Sequence, residues 1–442
     1  MATRRDTIVT TLVAPFTTPL LVDTRTSPEV DATSAPLRAP WSAERRALHA
    51  ILKTLGDPPL EFVLWSGERV GGIDAVAQLP VARIHIHDPR ALRQMVVNPE
   101  LGFGDAFTMG DVAVEGDLVA ALEAVYRARD RRPSWTRWRE RVSATARRVG
   151  RRSLTGAQAN IRQHYDLGND FFSWWLDEDM IYTCAYFSEA TMSLEAAQVQ
   201  KMDHVCRKLR LKPGDRVVEA GCGWGALTRH MVRHYGVHVT AYNISAEQLT
   251  EARLVSRALR LDDRITFVED DYRNIRGEYD AFVSVGMLEQ VGPETYEALG
   301  RVISRSLTPH GMGLIHTIAQ ARPEPLNAWI EQRIFPGAHP PTLTEMMPLL
   351  EHADLTVLDV ENLRLHYAQT LEHWLERYQR ARGRVERRYG KAFARAWHLY
   401  LAGSLAAFRT GELQLYQVLF SHRSNNALPR TRRDVYDQEL VP

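Results

Sequence analysis

Three glycines at alternate positions constrain the fold of this chain more than any other feature. They belong to the segment Arg216–Gly225 (RVVEAGCGWG), in which an apolar strand runs directly into Gly221, Gly223 and Gly225, and a helix-like pattern follows from Ala226. Such glycines let the backbone turn tightly and bring bare N–H groups against a ligand, while the helix N-terminus attracts a carboxylate or phosphate. The spacing lacks the third glycine position of the dinucleotide fingerprint, which favours S-adenosylmethionine over NAD. A tight strand–helix turn without a ligand is the alternative interpretation of the motif alone.

Strand-like and helix-like segments alternate around this loop, a rhythm typical of a doubly wound, Rossmann-like α/β domain. The predicted strands are Arg216–Ala220, His238–Tyr242, Ile265–Val268, Ala281–Val285, Gly313–His316 and Leu413–Phe420, and six or seven strands are expected. The predicted helices are Leu194–Leu209, Ala226–Tyr235, Tyr296–Leu307 and Phe393–Phe408, with a further helix capped by Ser245 and with Gln248 in the capping-box position.

Ligands of such sheets bind at the carboxyl ends of the parallel strands, so polar residues that follow a strand are candidate site residues. These residues are Asn243, Asp271, Tyr272, Glu289, Gln290 and His316. An acid or amide after the second strand ordinarily bonds a cofactor ribose, and Asn243 and Gln248 are the polar groups available there. Taken singly, a buried residue such as His316 is also consistent with a satisfied polar group of the core.

The sequence pattern also predicts how the chain before the glycine loop is divided into segments. We expect a flexible extension over residues 1–42, a small α+β domain over residues 43–130, an arginine-rich linker over residues 131–160 and the doubly wound domain over residues 161–442. Within the small domain we predict strands Glu61–Leu64 and Val81–Ile86 around a Gly71-Gly72 turn, and helices Ala91–Val97 and Leu118–Arg129. The segment Gly102–Phe107 predicts a loop between those two helices.

The sharpest charge asymmetry of the chain lies between Arg127 and Arg152, where eleven arginines stand against two acids, with two tryptophans among them. Basic side chains and interfacial indole rings suit an anionic bilayer surface. A solvated interdomain linker explains the same composition equally well. Nucleic acid is a poorer fit, because no recognised nucleic-acid-binding motif accompanies the arginines.

The overall composition narrows the class of protein further. The formal net charge is +1, so no global field attracts the chain to nucleic acid. No apolar run approaches the ~18 residues of a membrane span. Three cysteines, Cys184, Cys206 and Cys222, have no metal-ligand spacing and indicate a reducing compartment, so we expect a cytoplasmic protein without a structural metal.

Seven separated motifs occur in a fixed order along the chain. They are His164–Phe172 (HYDLGNDFF), Ile181–Tyr186 (IYTCAY), Gly221–Gly225 (GCGWG), Val285–Gly292 (VGMLEQVG), Leu314–Ile318 (LIHTI), Ile334–Gly337 (IFPG) and His366–Leu371 (HYAQTL). Together they resemble the cyclopropane-fatty-acyl-phospholipid synthase family, and Gly102–Asp111 is similar to the family's N-terminal domain. The resemblance covers nearly all of residues 91 to 421 and implies a class I methyltransferase domain preceded by a smaller, lipid-binding-like domain.

The resemblance implies a reaction in which the methyl group of S-adenosylmethionine is transferred to a cis double bond of an unsaturated phospholipid acyl chain. The carbocation then loses a proton to a bound bicarbonate ion and closes a cyclopropane ring. The residues implied for catalysis and for the bicarbonate cage are Cys184, Glu289, His316, Tyr367 and, in the cage, Ile318. We expect Cys184 to act through its backbone, because no sequence-adjacent base activates its thiol.

The cofactor set implied by the resemblance lies around the glycine loop. It comprises Tyr182, Thr183, Gly221, Gly223, Asn243, Ile244, Gln248 and Tyr272, and Asp271 joins it by its place after the third strand. The resemblance further implies a homodimer that is peripherally associated with the inner face of the cell membrane, where it meets its phospholipid substrate.

One motif departs from the family pattern, because Gln290 stands where the family usually has a histidine. If that histidine orders the site or relays the proton, a methylene- or methyl-branched fatty acid is the alternative product of the same first step. Two readings from other classes stay open, namely methylation of a soluble secondary metabolite and a noncatalytic lipid-binding relative. Glu289, His316 and Tyr367 together argue against the noncatalytic reading, because a decayed site has no physical reason to retain all three.

Overall fold

The computed structural model describes residues 42–71, 79–130 and 167–436. The predicted extension up to residue 41, the arginine-rich linker over residues 131–160, Gly72 of the predicted turn and the first three residues of the motif His164–Phe172 lie outside the described residues. No helix within the described ranges is long and apolar enough to span a lipid bilayer.

The described part of residues 43–130, called the N-terminal module below, is built from α1 Ala43–Leu55, β1 Leu60–Val63, β2 Arg69–Gly71, β3 Ala82–Ile86, α2 Pro89–Val97, α3 Pro99–Met109, β4 Val112–Gly116 and α4 Leu118–Asp130. Its strands form one sheet in the order β2-β1-β3-β4. Leu48 and Leu52, four residues apart on one face of α1, are fully buried and pack in one core with Phe62 and Ile84 of the sheet. The expected α+β character of this part is confirmed.

The predicted loop Gly102–Phe107 is wrong, because the segment lies inside α3. Asn98 caps this helix, Pro99 occupies its first turn, and the helix ends at Gly110, whose φ of 93° is left-handed. A Cβ at Gly102 would lie 2.6 Å from the carbonyl oxygen of Gln94 in α2. The glycine therefore serves the close approach of two helices rather than a turn, a role that local sequence pattern does not reveal.

A seven-stranded sheet forms the centre of the remaining chain. Its strands are β5 Arg216–Ala220, β6 His238–Asn243, β7 Ile265–Glu269, β8 Tyr279–Val285, β9 Leu307–Gln320, β10 Leu355–Asn362 and β11 Leu413–His422, in the order β10-β11-β9-β8-β5-β6-β7. Strands β5 to β9 pair in parallel, whereas β11 is antiparallel to both of its neighbours. The strand order reverses at β5, as expected for a doubly wound sheet, so the predicted fold class is confirmed.

The helices of this part cover the sheet and connect it to the N-terminal module. They are α5 Asn169–Ser173, α6 Leu194–Leu209, α7 Ala226–Tyr235, α8 Ala246–Ala258, α9 Tyr296–Ser306, α10 Leu343–Glu351, α11 Arg364–Tyr389, α12 Lys391–Thr410 and α13 Arg433–Tyr436. Helices α11 and α12 pack against each other, and α12 also packs against α3 and α4. Fully buried Phe171, Trp175 and Trp374 anchor the aromatic core beside this helix pair, where each large apolar side chain contributes about 1.5–3 kcal/mol of burial free energy.

Candidate active site

The glycine loop joins the end of β5 to the start of α7 in a conformation that requires its glycines. Gly221, Gly223 and Gly225 have φ values of 87°, 54° and 78°, all in the left-handed region that side chains disfavour. A Cβ at Gly225 would also lie 3.1 Å from Ala252 and from the ring of Phe267, so this glycine permits close helix–strand packing. A Cβ at Gly223 would meet nothing within 4 Å. The loop therefore presents bare backbone to open space at the carboxyl end of the sheet.

A cavity of about 370 Å³ lies beside this loop and brings together the residues predicted for the cofactor. All nine line it: Tyr182, Thr183, Gly221, Gly223, Asn243, Ile244, Gln248, Asp271 and Tyr272. Asn243 Nδ2 donates to the carbonyl oxygen of Gly223 at 3.2 Å and to Gln248 Oε1 at 2.9 Å. Ser245 caps α8 by accepting from the backbone N–H of Gln248, whose side chain bonds Asn243. Asn243 therefore contacts the glycine loop directly, whereas Gln248 acts on the loop only through Asn243.

The side chain of Asp271 is held in place by hydrogen bonds from Arg273. Its carboxylate accepts two side-chain hydrogen bonds from Arg273 at 2.6 Å each and one from the backbone N–H of Arg273 at 2.9 Å. Burial alone would raise the pKa of Asp271, but these hydrogen bonds outweigh it and hold the pKa below its ordinary value. Asp271 is therefore an ionised carboxylate at the cavity wall.

Two buried charged residues also line the cavity, although the sequence reasoning did not select them. Lys201 on α6 donates to Thr183 Oγ1 at 3.0 Å, and burial lowers its pKa to about 8. Glu219 on β5 accepts a hydrogen bond from Thr228, and burial raises its pKa to about 7. Glu219 could have been predicted from the sequence, because it is an acid two residues before Gly221 on the strand that leads into the glycine loop. Lys201 lies on a preceding helix, and no local pattern in the sequence points to it.

A second group of predicted residues lies next to the cavity and is more deeply buried. Glu289 Oε1 accepts from the backbone N–H of Ile318 at 2.5 Å, whereas Glu289 Oε2 is buried and has no hydrogen-bond partner among the described residues. Burial raises the pKa of Glu289 to about 7. His316 Nδ1 lies 3.1 Å from the side-chain nitrogen of Gln417, and its Nε2 is likewise buried without a partner in the described part of the chain. Burial holds the pKa of His316 well below its ordinary value, so the ring is neutral.

The residue after Cys184 is hydrogen-bonded to helix α11, which also carries Tyr367. The Cys184 thiol is fully buried and donates to the carbonyl oxygen of Ala185 at 3.1 Å, and burial raises its pKa. The backbone N–H of Ala185 donates to Thr370 Oγ1 at 3.0 Å, and Thr370 stands one helical turn after Tyr367. A protonated, buried thiol is a poor nucleophile, which argues against a thiolate role for Cys184. The expected backbone role of Cys184 stays a prediction.

The two groups adjoin through backbone contacts. Gly286, which lines the cavity, donates its N–H to the carbonyl oxygen of His316 at 2.8 Å. Gln290 also lines the cavity and follows Glu289 directly in a short 3-10 helix. The backbone N–H of His339 donates to the carbonyl oxygen of Glu289 at 2.7 Å, and this contact places the segment that contributes Pro336 and Gly337 to the cavity wall. The described residues contain no cluster of metal-ligating side chains.

Comparisons with known proteins agree with this architecture. The family model described as mycolic acid cyclopropane synthetase matches residues 152–418, and a model described as a domain of unknown function matches residues 47–133. The cyclopropane-fatty-acyl-phospholipid synthase of Escherichia coli strain K12 is 35% identical over 355 residues, which cover 78% of this chain and 90% of that protein. A probable fatty acid methyltransferase of Pseudomonas putida is 35% identical over 396 residues, which cover 86% of this chain and 96% of that protein.

A solved structure shows the same fold with a cofactor product in place. The mycolic acid cyclopropane synthase CmaA1, complexed with SAH and CTAB, is 30% identical and has a TM-score of 0.57 over 60% of this chain and 97% of its own. The fold and the cavity define a class I S-adenosylmethionine-dependent methyltransferase. Within that class, the chain belongs to the mycolic acid cyclopropane synthetase family, whose model matches more than half of its residues. The cofactor is therefore S-adenosylmethionine, and the enzyme modifies lipid acyl chains.

Proposed function

We propose that this enzyme forms cyclopropane rings at cis double bonds in the acyl chains of unsaturated phospholipids, with bicarbonate as the base. One observation carries the proposal: Glu289 Oε2 and His316 Nε2, two buried polar atoms beside the cofactor cavity, have no partner among the described residues. Buried polar atoms are rarely left unpaired in proteins, so a small polar species between these side chains would satisfy both.

The chemistry of these two atoms fits a bicarbonate ion. A neutral imidazole can donate from Nε2 to an oxyanion, and Glu289 can accept from the hydroxyl of bicarbonate or share a proton with it. A Tyr367 hydroxyl donor and the backbone near Cys184 and Ile318 would complete the cage. When bound, bicarbonate supplies the base that takes up the proton released on ring closure.

The residues of the chain itself contribute positioning and exclusion of water. An alkene is a weak nucleophile, so the double bond must be held against the cofactor methyl group in a dry site. The aromatic core that contains Tyr182, Tyr367 and Trp374 provides apolar surroundings directly beside the cavity. The raised pKa of Glu289 shows that the buried surroundings of this side chain disfavour charge.

The proposal also covers the oligomeric state of the enzyme, its location in the cell and the roles of its two domains. We infer a homodimer that acts on phospholipid at the inner face of the cell membrane, with residues 43–130 as a lipid-binding-like domain and residues 161–442 as the methyltransferase domain. The E. coli relative, named for a phospholipid substrate, matches over 78% of this chain and supports the choice of substrate class.

The experiment incubates the purified protein with S-adenosylmethionine and vesicles of unsaturated phospholipid, with and without added bicarbonate in CO₂-depleted buffer. Mass spectrometry should show the gain of one CH₂ group per modified acyl chain, and proton NMR should show upfield ring protons. Turnover should rise with bicarbonate in the native enzyme and should be strongly reduced in Glu289→Gln at every bicarbonate concentration. Vinylidene signals would instead establish the branched product and implicate Gln290, and turnover independent of bicarbonate would exclude the proposed base.

A further inference from the structure

The segment Cys184–Phe187 lies outside the helices and strands of the described chain, yet its backbone N–H groups alternate between two neighbouring helices. The N–H of Tyr186 donates to the carbonyl oxygen of Ala197 on α6 at 3.0 Å. The N–H groups of Ala185 and Phe187 donate instead to side chains of α11. Such alternation is typical of an extended strand, so α11 lies where a partner strand would otherwise lie.

Two side chains of α11 supply the acceptors for this segment. Thr370 Oγ1 accepts from the N–H of Ala185, and His366 Nδ1 accepts from the N–H of Phe187, both at 3.0 Å. The spacings of the two elements match, because two residues of extended chain rise about 6.6 Å and four residues of α-helix rise about 6 Å. His366 and Thr370, four residues apart on one face of α11, therefore meet successive N–H groups along one edge of the segment. This pair of side chains is called the α11 clamp below.

Both side chains of the α11 clamp are fixed as acceptors. Thr370, which is fully buried, donates its hydroxyl proton to the carbonyl oxygen of His366 at 2.7 Å, which leaves an oxygen lone pair for the N–H of Ala185. A backbone N–H can only donate, so His366 Nδ1 accepts from Phe187 and the proton of the neutral ring resides on Nε2. Burial lowers the pKa of His366, which favours this neutral form. The His366 ring also stacks on that of Tyr186, with the ring centroids 4.6 Å apart, so the clamp holds both backbone and side chain of the segment.

The clamped segment and the start of α11 each carry a member of the proposed bicarbonate cage. Cys184 directly precedes the first clamped N–H, and Tyr367 directly follows His366. The carbonyl oxygen of Leu363 accepts from the backbone N–H of Tyr367 at 3.1 Å and lies 4.0 Å from the Cys184 thiol. Loss of the clamp would therefore let the Cys184 backbone move relative to Tyr367.

We propose that His366 and Thr370 are positioning residues: the α11 clamp holds the Cys184 backbone at the distance from Tyr367 that the bicarbonate cage requires. This role rests on the proposed function, because bicarbonate is the ligand whose cage the clamp would order. Hydrogen bonds to an anion weaken steeply as their distance and angle depart from the optimum. Loss of the clamp should therefore raise the bicarbonate concentration that turnover requires.

The cofactor is expected to bind independently of the α11 clamp. Thr183, which lines the cofactor cavity, is held from α6 instead. Its carbonyl oxygen accepts from Gln198 at 2.9 Å, and its hydroxyl oxygen accepts from Lys201 at 3.0 Å. Variants of the clamp should therefore leave the KM for S-adenosylmethionine unchanged.

The test compares variants of the full-length protein that remove or retain each acceptor. Thr370→Val has the shape of threonine without an acceptor, whereas Thr370→Ser retains the hydroxyl. His366→Phe retains a flat ring against Tyr186 without an acceptor, whereas His366→Asn retains an acceptor near the position of Nδ1. The control is Thr250→Val, which removes a hydroxyl that also donates to the carbonyl oxygen four residues earlier, at 2.7 Å, but lies on the exposed face of α8.

Hydrogen–deuterium exchange of the peptide that contains residues 184–187, without substrate, measures whether the clamp holds the segment. Kinetics with vesicles of unsaturated phospholipid in CO₂-depleted buffer measure the KM for S-adenosylmethionine and the bicarbonate concentration for half-maximal turnover. We expect Thr370→Val and His366→Phe to speed the exchange and to raise that bicarbonate concentration about five- to tenfold, the effect of one lost hydrogen bond. Thr370→Ser and His366→Asn should recover most of the loss, and Thr250→Val should behave as the native protein does.

Unchanged exchange in both Thr370→Val and His366→Phe would show that these side chains do not hold the segment. Faster exchange with native kinetics, or an equal rise in the KM for S-adenosylmethionine, would show that the clamp supports the fold without positioning the cage. Either result overturns the proposal. A native enzyme that turns over equally fast without bicarbonate would refute the proposed base, and with it the role of the clamp in the cage, whereas the exchange data would still show whether the clamp holds the segment.

Discussion

Gln417 stands directly opposite His316 in the antiparallel ladder of β11 and β9, and its side-chain nitrogen lies 3.1 Å from His316 Nδ1. Both side chains are buried, with exposed fractions of 0% and 1%. With the amide nitrogen of Gln417 facing Nδ1, that nitrogen donates and His316 Nδ1 accepts, so we expect the single proton of the neutral ring on Nε2. Gln417 thereby makes a hydrogen-bond donor of His316 Nε2, which has no partner among the described residues.

Replacing Gln417 with Glu should reverse the tautomer of His316. A carboxylate accepts from Nδ1–H, which moves the ring proton away from Nε2 and removes the proposed donor to bicarbonate. We expect kcat to fall about 10- to 100-fold, the usual effect of changing the partner that orients a functional histidine. The KM for S-adenosylmethionine should stay unchanged, because Gln417 does not line the cofactor cavity.

Nitrogen-15 NMR of His316 separates this positioning role from a purely structural one. The native protein should show a protonated Nε2 and Gln417→Glu a protonated Nδ1, without bicarbonate or substrate. Gln414→Glu on the same strand is the control, because Gln414 bonds Asn362 and the Gly411 carbonyl, away from His316. A native spectrum with the proton on Nδ1 would refute the assignment regardless of what the enzyme catalyses.

Glu289 should make the stability of the protein depend on pH. Burial raises its pKa from an ordinary 4.5 to about 7, so the folded state binds more protons than the unfolded state between those two values. Its contribution is therefore fully present below pH 4.5 and is lost as the pH rises through about 7, with a total of roughly 3 kcal/mol.

Urea unfolding of the native protein and of Glu289→Gln from pH 5 to pH 8 tests this dependence. The difference in the free energy of unfolding should move in favour of the glutamine variant as the pH rises. Glu297→Gln, on the exposed face of α9, is the control and should follow the native curve. Parallel curves for Glu289→Gln and the native protein would show that Glu289 titrates at its ordinary pKa in the folded state.

Gly104 should be intolerant of alanine, because at this residue the N-terminal module packs against Trp329, in the segment that leads to the cavity-lining Pro336 and Gly337. A Cβ at Gly104 would lie 2.4 Å from the buried ring of Trp329, and the neighbouring Asp105 forms a two-point ion pair with Arg333 at 3.0 and 2.8 Å. Pro336 and Gly337, which line the cavity, follow shortly after Arg333. We expect Gly104→Ala to lower stability by about 1–3 kcal/mol through overpacking and to raise the KM for S-adenosylmethionine.

Gly383→Ala is the matched control for this substitution, because Gly383 is also helical but is exposed and a Cβ there would meet only Arg387 Nη1, at 3.7 Å. Alanine at that position should stabilise the protein by about 0.5–1 kcal/mol. Thermal unfolding measures the stability of both variants, and titration of S-adenosylmethionine measures their KM for the cofactor. An unchanged KM in a destabilised Gly104→Ala would mean that the contact supports the fold without shaping the cavity.

The sequence allowed prediction of those features that depend on local pattern or on motif resemblance. The glycine loop, with its left-handed Gly221 and Gly223, follows from spacing alone, and the resemblance added Tyr182 and Thr183, which the structure brings to the same cavity. Gln417 was out of reach, because it meets His316 across a strand pairing that joins residues about a hundred positions apart. The register of such a pairing is set by the packing of the whole sheet rather than by nearby residues.

Long-range contacts, which local sequence does not reveal, also explain why the loop predicted at Gly102–Phe107 is wrong. Glycine ordinarily signals a turn, and the two glycines in Gly102–Phe107 accordingly predicted a loop. In the structure they lie inside α3 and allow the approach of α2 on one side and of Trp329 on the other. Tertiary contacts therefore override local propensity at this point, and only the positions of α2 and of the segment around Trp329 reveal the reason.

Cys184 should be dispensable for catalysis as a thiol, although its backbone lies in the proposed bicarbonate cage. The side chain is fully buried, donates to the Ala185 carbonyl oxygen at 3.1 Å, and has its pKa raised by burial, so the reactive thiolate is scarce at neutral pH. Cys184→Ala keeps the backbone and removes only a small buried atom, for which we expect a loss of about 1 kcal/mol in stability and a change in kcat of less than about threefold. Steady-state kinetics and iodoacetamide labelling at pH 8 measure both properties. Rapid labelling of Cys184, or a loss of kcat like that expected for Glu289→Gln, would require a chemical role for the sulfur that its buried position argues against.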